Sequence, residues 1–349
     1  MSNLIYSFPK RQKKTIHRFC KILSAESFIP EKVVENEDII NNYNLPFRSN
    51  IIVKSIGVER RHVADEVEDD SDVLLKSAKK CLDKIGILPD SLSRIIVNKF
   101  LGDNLLPMTA SRLQGKLCSK TAVHSFDIDG GISSFLHSFD VVSRFINSGD
   151  EYILLSSGGI HTRFISKTDP RVAFLFGDAS ASVLFGYAEQ QHILSSYFYS
   201  NYEYYDVATL LSPLTLVDRT KDSLKNDVLS VIFDTYRMEN WKIVEDFYRK
   251  ATFEVSKNLL EESGLSMEDM DLVLVTENNR KIWELTLETL GVNEEKSISL
   301  IKDYGNTMSA MLPLLLDYGF RSGRIQKGMN IMLISHGEGS SGGGLIYRV

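Results

Sequence analysis

The chain is poor in cysteine, has no apolar run long enough for a membrane, and carries no excess of positive charge. Its three cysteines, Cys20, Cys81 and Cys118, are scattered over 349 residues. That is too few and too dispersed for a disulfide framework or a zinc site. No apolar stretch reaches transmembrane length, and residues 1–20 lack the apolar core of a signal peptide. A formal net charge of −6 argues against a general nucleic-acid binder. The expectation is a reduced, cytoplasmic protein that uses neither nucleic acid nor membrane. Otherwise the composition is that of an ordinary globular chain, with 43% hydrophobic and 25% charged residues. At 349 residues it exceeds what one hydrophobic core usually serves, so two subdomains are expected.

One further absence is local. The segment Phe126-Asp127-Ile128-Asp129-Gly130-Gly131-Ile132-Ser133-Ser134-Phe135 has the layout of a nucleophile elbow. An apolar run from Thr121 to Ile128 reads as a buried strand that breaks at Gly130-Gly131. An amphipathic helix follows, with Phe135, Phe139, Val142 and Phe145 at helical spacing. Such a junction presents a reactive group to oriented amides and the positive end of a helix dipole. Yet Ile132 stands where the nucleophile belongs, and its side chain has neither a lone pair nor a labile proton.

The chain also repeats itself. Val73 to Asn98 reads as helix, Gly86, polar turn and the strand Ile95-Ile96-Val97. Phe253 to Thr276 reads the same way, through Gly264 to the strand Leu272-Val273-Leu274-Val275. Each half then has a strand, a small-residue loop and a buried helix, Ser125 to Phe145 and Leu300 to Tyr318. An apolar strand follows in each, Tyr152 to Ser156 and Met329 to Ile334, and a Gly/Ser-rich close, Gly177 to Gly186 and Gly337 to Gly344. Alternating strands and helices imply parallel α/β halves, and two similar halves imply a duplicated fold. The expected organisation is an N-terminal extension (1–18), a first half (19–190), an irregular cap and linker (191–250) and a second half (251–349). The extension carries the basic run Lys10-Arg11-Gln12-Lys13-Lys14, read either as a solvated tail or as a patch for an acidic carrier protein.

Several segments together resemble the ketoacyl-ACP synthase III branch of the thiolase superfamily, over nearly the whole chain after residue 19. Cys20 to Val34 resembles its opening strand and turn, and Ile56 to His62 its "TGI..RH" segment. Phe176-Gly177-Asp178-Ala179-Ser180-Ala181 resembles "FGDGAgA", Tyr304-Gly305-Asn306-Thr307 "hGNT", and Ser335 to Gly344 the closing glycine-rich motif. The resemblance implies a five-layer αβαβα sandwich with its site between the duplicated halves. It also implies a dimer whose subunits complete each other's acyl tunnels, and acyl-CoA or acyl carrier protein as acyl donor, with no cofactor or metal.

Members of that family use a cysteine nucleophile, a histidine and an asparagine. Carried over residue by residue, these positions hold Ile132, Thr276 and Asn306, so the asparagine alone is kept. A threonine can donate one hydrogen bond but cannot carry charge or act near neutral pH as histidine does. A tryptophan and an arginine of the family's substrate channel fall on Ile51 and Ser55, and another arginine on Pro170, beside Arg171. The oxyanion-loop glycine falls on Glu338, a carboxylate where negative charge develops. Lys281 keeps a basic residue near the tunnel mouth. The neighbour-completing loop corresponds to Lys99 to Thr109, with the apolar tip Leu105-Leu106-Pro107-Met108, where Leu106 takes the tunnel-lining position.

Among other nucleophiles, Ser133 and Ser134 read as an N-cap and a first-turn residue, and Cys81 and Cys118 as packing. His124, His161 and His336 form no visible partnership. Two classes of function fit. One is a non-catalytic subunit paired with an active ketosynthase III-like paralogue, or with itself. The other is an acyltransferase or hydrolase with relocated groups such as Ser133, Thr276 and Asn306. A stand-alone acyl-binding pseudoenzyme is a third possibility.

Overall fold

The computed structural model describes residues 18–129, 131–205, 208–209, 237–238, 241–337 and 341–349. Its strands are β1 (Cys20–Phe28), β2 (Lys32–Glu35), β3 (Arg60–Val63), β4 (Arg94–Lys99), β5 (His124–Asp129), β6 (Tyr152–Gly159) and β7 (Ala179–Tyr187). They continue as β8 (Ile193–Ser200), β9 (Ala208–Thr209), β10 (Arg237–Met238), β11 (Leu272–Val275), β12 (Asn330–His336) and β13 (Ser341–Arg348).

Two sheets carry the fold. The first runs in the order β1-β7-β6-β4-β5, with β4 parallel to β5 and β6, and β7 antiparallel to β6 and β1. The second runs β11-β12-β13-β8, with β11 parallel to β12, and β13 antiparallel to β12 and β8. The orders superpose strand for strand: β4 on β11, β6 on β12, β7 on β13 and β1 on β8. A counterpart of β5 survives as a single parallel bridge between Val273 and Ser297. This is the duplication that the sequence repeat predicts.

Strand alternation sorts side chains into layers, because successive residues face opposite sides of a sheet. Ile96 faces a central core while Ile95 and Val97 face an outer one. In the second sheet Leu272, Leu274, Ile331 and Leu333 face the central core. Val273, Val275, Met332 and Ile334 turn outward. The helices Ser134–Asn147 and Met311–Arg321 lie between the sheets. Helix Asp70–Ile85 covers the outer face of the first sheet, and Trp241–Ser263 that of the second. The result is a five-layer αβαβα sandwich with both faces of each sheet buried.

The region expected as an irregular cap and linker (191–250) differs in its described parts. Ile193–Ser200 is a regular edge strand of the second sheet, and Trp241–Ser263 is one continuous helix. The strand was hidden because Ser195 and Ser196 occupy buried positions among its aromatic residues, blurring the apolar alternation that marks a strand. Residues 210–236 of that expected region and the basic run at 10–14 lie outside the described residues.

Candidate active site

The two halves meet at the elbow. β5 ends at Asp129, a 3-10 turn spans Gly131–Ser133, and the helix Ser134–Asn147 begins at once. Gly131 takes φ +58°, a conformation glycine adopts without steric cost. Ile132 is 7% exposed. Its turn rests against β12, β13 and the turn Met308–Ala310, all from the second half.

A chain of hydroxyls joins the positions the sequence singled out. Thr276 follows β11, and its amide extends the ladder by donating to the Ile334 carbonyl at 3.0 Å. Its Oγ1 donates to Ser335 Oγ at 2.9 Å, and Ser335 Oγ donates to the Ile132 carbonyl at 3.4 Å. Ile132 and Thr276 are therefore neighbours through Ser335. Asn306 is brought in by backbone pairing: its amide donates to the Leu175 carbonyl at 2.8 Å and its carbonyl accepts from the Gly177 amide at 3.1 Å. Gly305 makes this possible. It takes φ +67°, and a Cβ there would lie 2.7 Å from the Leu175 oxygen. The side chain of Asn306 is engaged at both ends. Nδ2 donates to the Asn278 carbonyl at 3.1 Å and Oδ1 accepts from the Met308 amide at 2.8 Å.

Glu277, beside Thr276, is fully buried. Its carboxyl accepts from Ser299 Oγ, from the Leu300 amide at 2.6 Å and from the Ile301 amide at 3.1 Å. Burial nevertheless dominates and pushes its pKa up to about 7. His336, at the end of β12, bonds Tyr199 OH at 3.0 Å and Thr252 Oγ1 at 3.1 Å. Burial lowers its pKa to about 3, so it is neutral at physiological pH. It acts as a packing aromatic with two hydrogen bonds.

The remaining positions divide. Ser133 occupies the N-cap position, but its side chain makes no capping bond. Its Oγ lies 3.4 Å from Ser341 Oγ, against Gly337 of the closing motif. Ser134 Oγ donates to the Gly131 carbonyl at 2.7 Å. Cys81 is buried and its thiol is pushed up to about 12 by burial, which fits packing. Ile51 and Lys281 are exposed, on the neighbouring helices Ser49–Ile56 and Arg280–Leu290. Glu338 lies outside the described residues.

The loop before helix Thr109–Lys116 has a pinned base and a bare tip. Asp127 of β5 accepts from the Thr109 and Ala110 amides at 2.9 and 2.8 Å, and sits 3.4 Å from Lys99 Nζ. Asp103 accepts from the Ser71 amide and hydroxyl at 2.8 and 2.5 Å. Leu105 and Leu106 are 86% and 83% exposed. Sequence reading passed over Ser335, Glu277 and Asp127 as functional residues. The partners of Ser335 are 59 and 203 residues away, and no local pattern carries such a contact.

Two family models match the chain: 3-oxoacyl-[acyl-carrier-protein (ACP)] synthase III over residues 126–201, and the C-terminal part of the same family over residues 260–349. A beta-ketoacyl-[acyl-carrier-protein] synthase III of Coxiella burnetii is 26% identical over 333 residues, covering 95% of this chain and 99% of the relative. One from Xanthomonas campestris is 27% identical over 342 residues, covering 95% and 98%. The crystal structure of 3-oxoacyl-[acyl-carrier-protein] synthase III from Aquifex aeolicus superposes with a TM-score of 0.83 at 24% identity, covering 95% of this chain and all of that one.

Proposed function

From a chain that is a ketoacyl-ACP synthase III-like member of the thiolase superfamily, we propose a protein that has given up the condensation reaction and serves as a non-catalytic partner subunit of an active ketosynthase. The observation that carries the reading is Ile132, buried at the elbow where the family resemblance puts a thiolate. In a cooperative protease triad, losing the nucleophile costs on the order of a millionfold in rate. The retained polar groups are engaged with one another: Thr276 and Ser335 bond each other, and Asn306 is held by Asn278 and Met308.

The loop supports the partner role. Its base is fixed by Asp103 and Asp127, while leucines at its tip stand in solvent. Apolar side chains on a pinned loop favour burial against another molecule. β5, which carries Asp127, is an edge strand of the first sheet and offers unpaired backbone groups for a second subunit. The subunit would shape its partner's acyl tunnel and guide acyl carrier protein, needing no cofactor of its own. Among the described residues no helix is long and apolar enough to cross a membrane.

Intact-mass spectrometry after incubation with acyl-CoA or acyl carrier protein tests the reading, together with a pull-down against a ketosynthase paralogue. No covalent adduct and a stable complex are expected. An acyl adduct mapped to Ser133 or Ser134 would instead establish relocated chemistry.

A further inference from the structure

β5 closes the first sheet on one side, and its residues divide between two faces. Phe126 and Ile128 pack toward the central core. Ser125 and Asp127 turn the other way: Ser125 Oγ donates to Gln114 Oε1 at 2.8 Å, and Asp127 accepts from the Thr109 and Ala110 amides. Alternation puts Asp129 on the face of Asp127. The two aspartates are unequally served. Asp127 has both helix amides and Lys99, and its side chain and that of Lys99 are each 7% exposed. Asp129, the register partner of Lys99, is exposed, and its carboxylate makes no hydrogen bond or ion pair among the described residues. Arg94, at the other end of β4, has no charge to spare, because it pairs with Asp150 and lies over the Phe145 ring. Lys99 is left to face two carboxylates.

A second copy of this chain is a poor mate for such an edge. Identical edge strands related by a two-fold axis normal to the sheet run antiparallel, and residues directly opposite each other point to one face. The axis then passes where a residue meets its own copy. At Asp127 it sets the two Asp127 carboxylates opposite each other. At Ile128 it sets each Asp127 opposite Asp129 of the other copy. At Phe126 the two Asp127 become diagonal neighbours, about 7 Å apart. Each of these registers gathers four carboxylates and two lysines on one face of the joined sheet. Like charges opposed across a strand pair weaken it, and charges on an edge strand guard it against unwanted pairing.

We infer that β5 docks a paralogous subunit whose facing edge strand presents a lysine or arginine to Asp129, and that the same carboxylate keeps this chain from pairing with itself. A cation there replaces repulsion by an ion pair in a strip that pairing partly desolvates. The discrimination is the difference between the two. The loop tip continues this surface: Asp127 fixes Thr109, and the exposed Leu105 and Leu106 stand just before it. The inference rests on the reading of this chain as a partner subunit, and adds what its partner must offer.

Sedimentation velocity on the whole protein, with the paralogue pull-down beside it, tests the inference. Asp129 is exposed, so its substitution spares the fold. Wild type is expected to be monomeric at micromolar concentration, and Asp129→Asn to self-associate at least about tenfold more tightly. An equal mixture of wild type and Asp129→Lys should form a mixed dimer where wild type alone stays monomeric. In the pull-down, Asp129→Lys should weaken the paralogue complex at least about tenfold. A stable wild-type dimer whose dissociation constant ignores Asp129→Asn overturns the inference. Monomers in every sample, the mixture included, remove β5 as the docking edge and overturn it too. A paralogue complex indifferent to Asp129→Lys overturns the charge rule but keeps the partner reading. A wild-type dimer that captures no paralogue overturns both.

Discussion

Replacing Glu277 by glutamine should stabilise the protein, and should do so only above mildly acidic pH. The carboxyl is fully buried, and burial raises its pKa from 4.5 to about 7 despite three donors. A carboxyl whose folded pKa is raised binds its proton more tightly folded than unfolded. Below about pH 4.5 both states are protonated and no penalty exists. Between that pH and about 7 the unfolded chain loses its proton while the folded chain holds it, so stability falls as pH rises and then levels off. The shift corresponds to about 3 kcal/mol at pH 8. Glutamine has nearly the same shape and cannot ionise, its carbonyl can take the Leu300 and Ile301 amides, and Ser299 Oγ can turn to accept from its amide. Glu277→Gln should therefore raise the melting temperature by about 5 °C at pH 8 and change it little at pH 4.5. Circular-dichroism melts at both pH values measure this. A variant less stable than wild type at pH 8 would show that the three donors outweigh burial and that the site is built around a carboxylate. A gain independent of pH would show that Glu277 does not titrate in this window.

Ile132→Cys returns a thiol to the elbow, but Thr276 stays in the histidine's place, so acyl transfer to the new cysteine is the most that should reappear; robust condensation by the single variant, read by product mass spectrometry, would refute that account of the second half-site. Leu106→Trp should shorten the acyl chains used by a co-expressed paralogue while leaving the complex intact in a pull-down. A buried leucine contact is worth about 2 kcal/mol, or about thirtyfold in selectivity where one substrate alone uses it, and an unchanged product profile would count against the partner role.

The layered fold was legible because its strands advertise themselves. Ile95-Ile96-Val97 and Leu272-Val273-Leu274-Val275 are short apolar runs at matching places in two halves, the first in an interior strand and the second in an end strand that is bridged to Ser297 and buried along its whole length. β8 was not legible, because Ser195 and Ser196 are buried there and polar residues in a core break the pattern without breaking the strand. The elbow could be placed from its glycines and the helix period behind it. What surrounds Ile132 could not: the contacts of Ser335 and Asn306 are set by how two domains close on each other, and spacing along a chain carries no record of that. The same holds for Phe176, which is bridged to Asn306 from 130 residues away in the chain.

Asp127 has a mechanical consequence. Its carboxylate grips the first two amides of helix Thr109–Lys116, and its backbone lies in β5, five residues before Ile132. Tip and elbow are thus the two arms of one lever with Asp127 at the fulcrum. A load on Leu105 and Leu106 that displaces the helix must either break both hydrogen bonds to Asp127 or pull on β5, which ends at Asp129, two residues before the turn that holds Ile132. An event at the rim of the molecule would then be felt at its centre without any ligand passing between them.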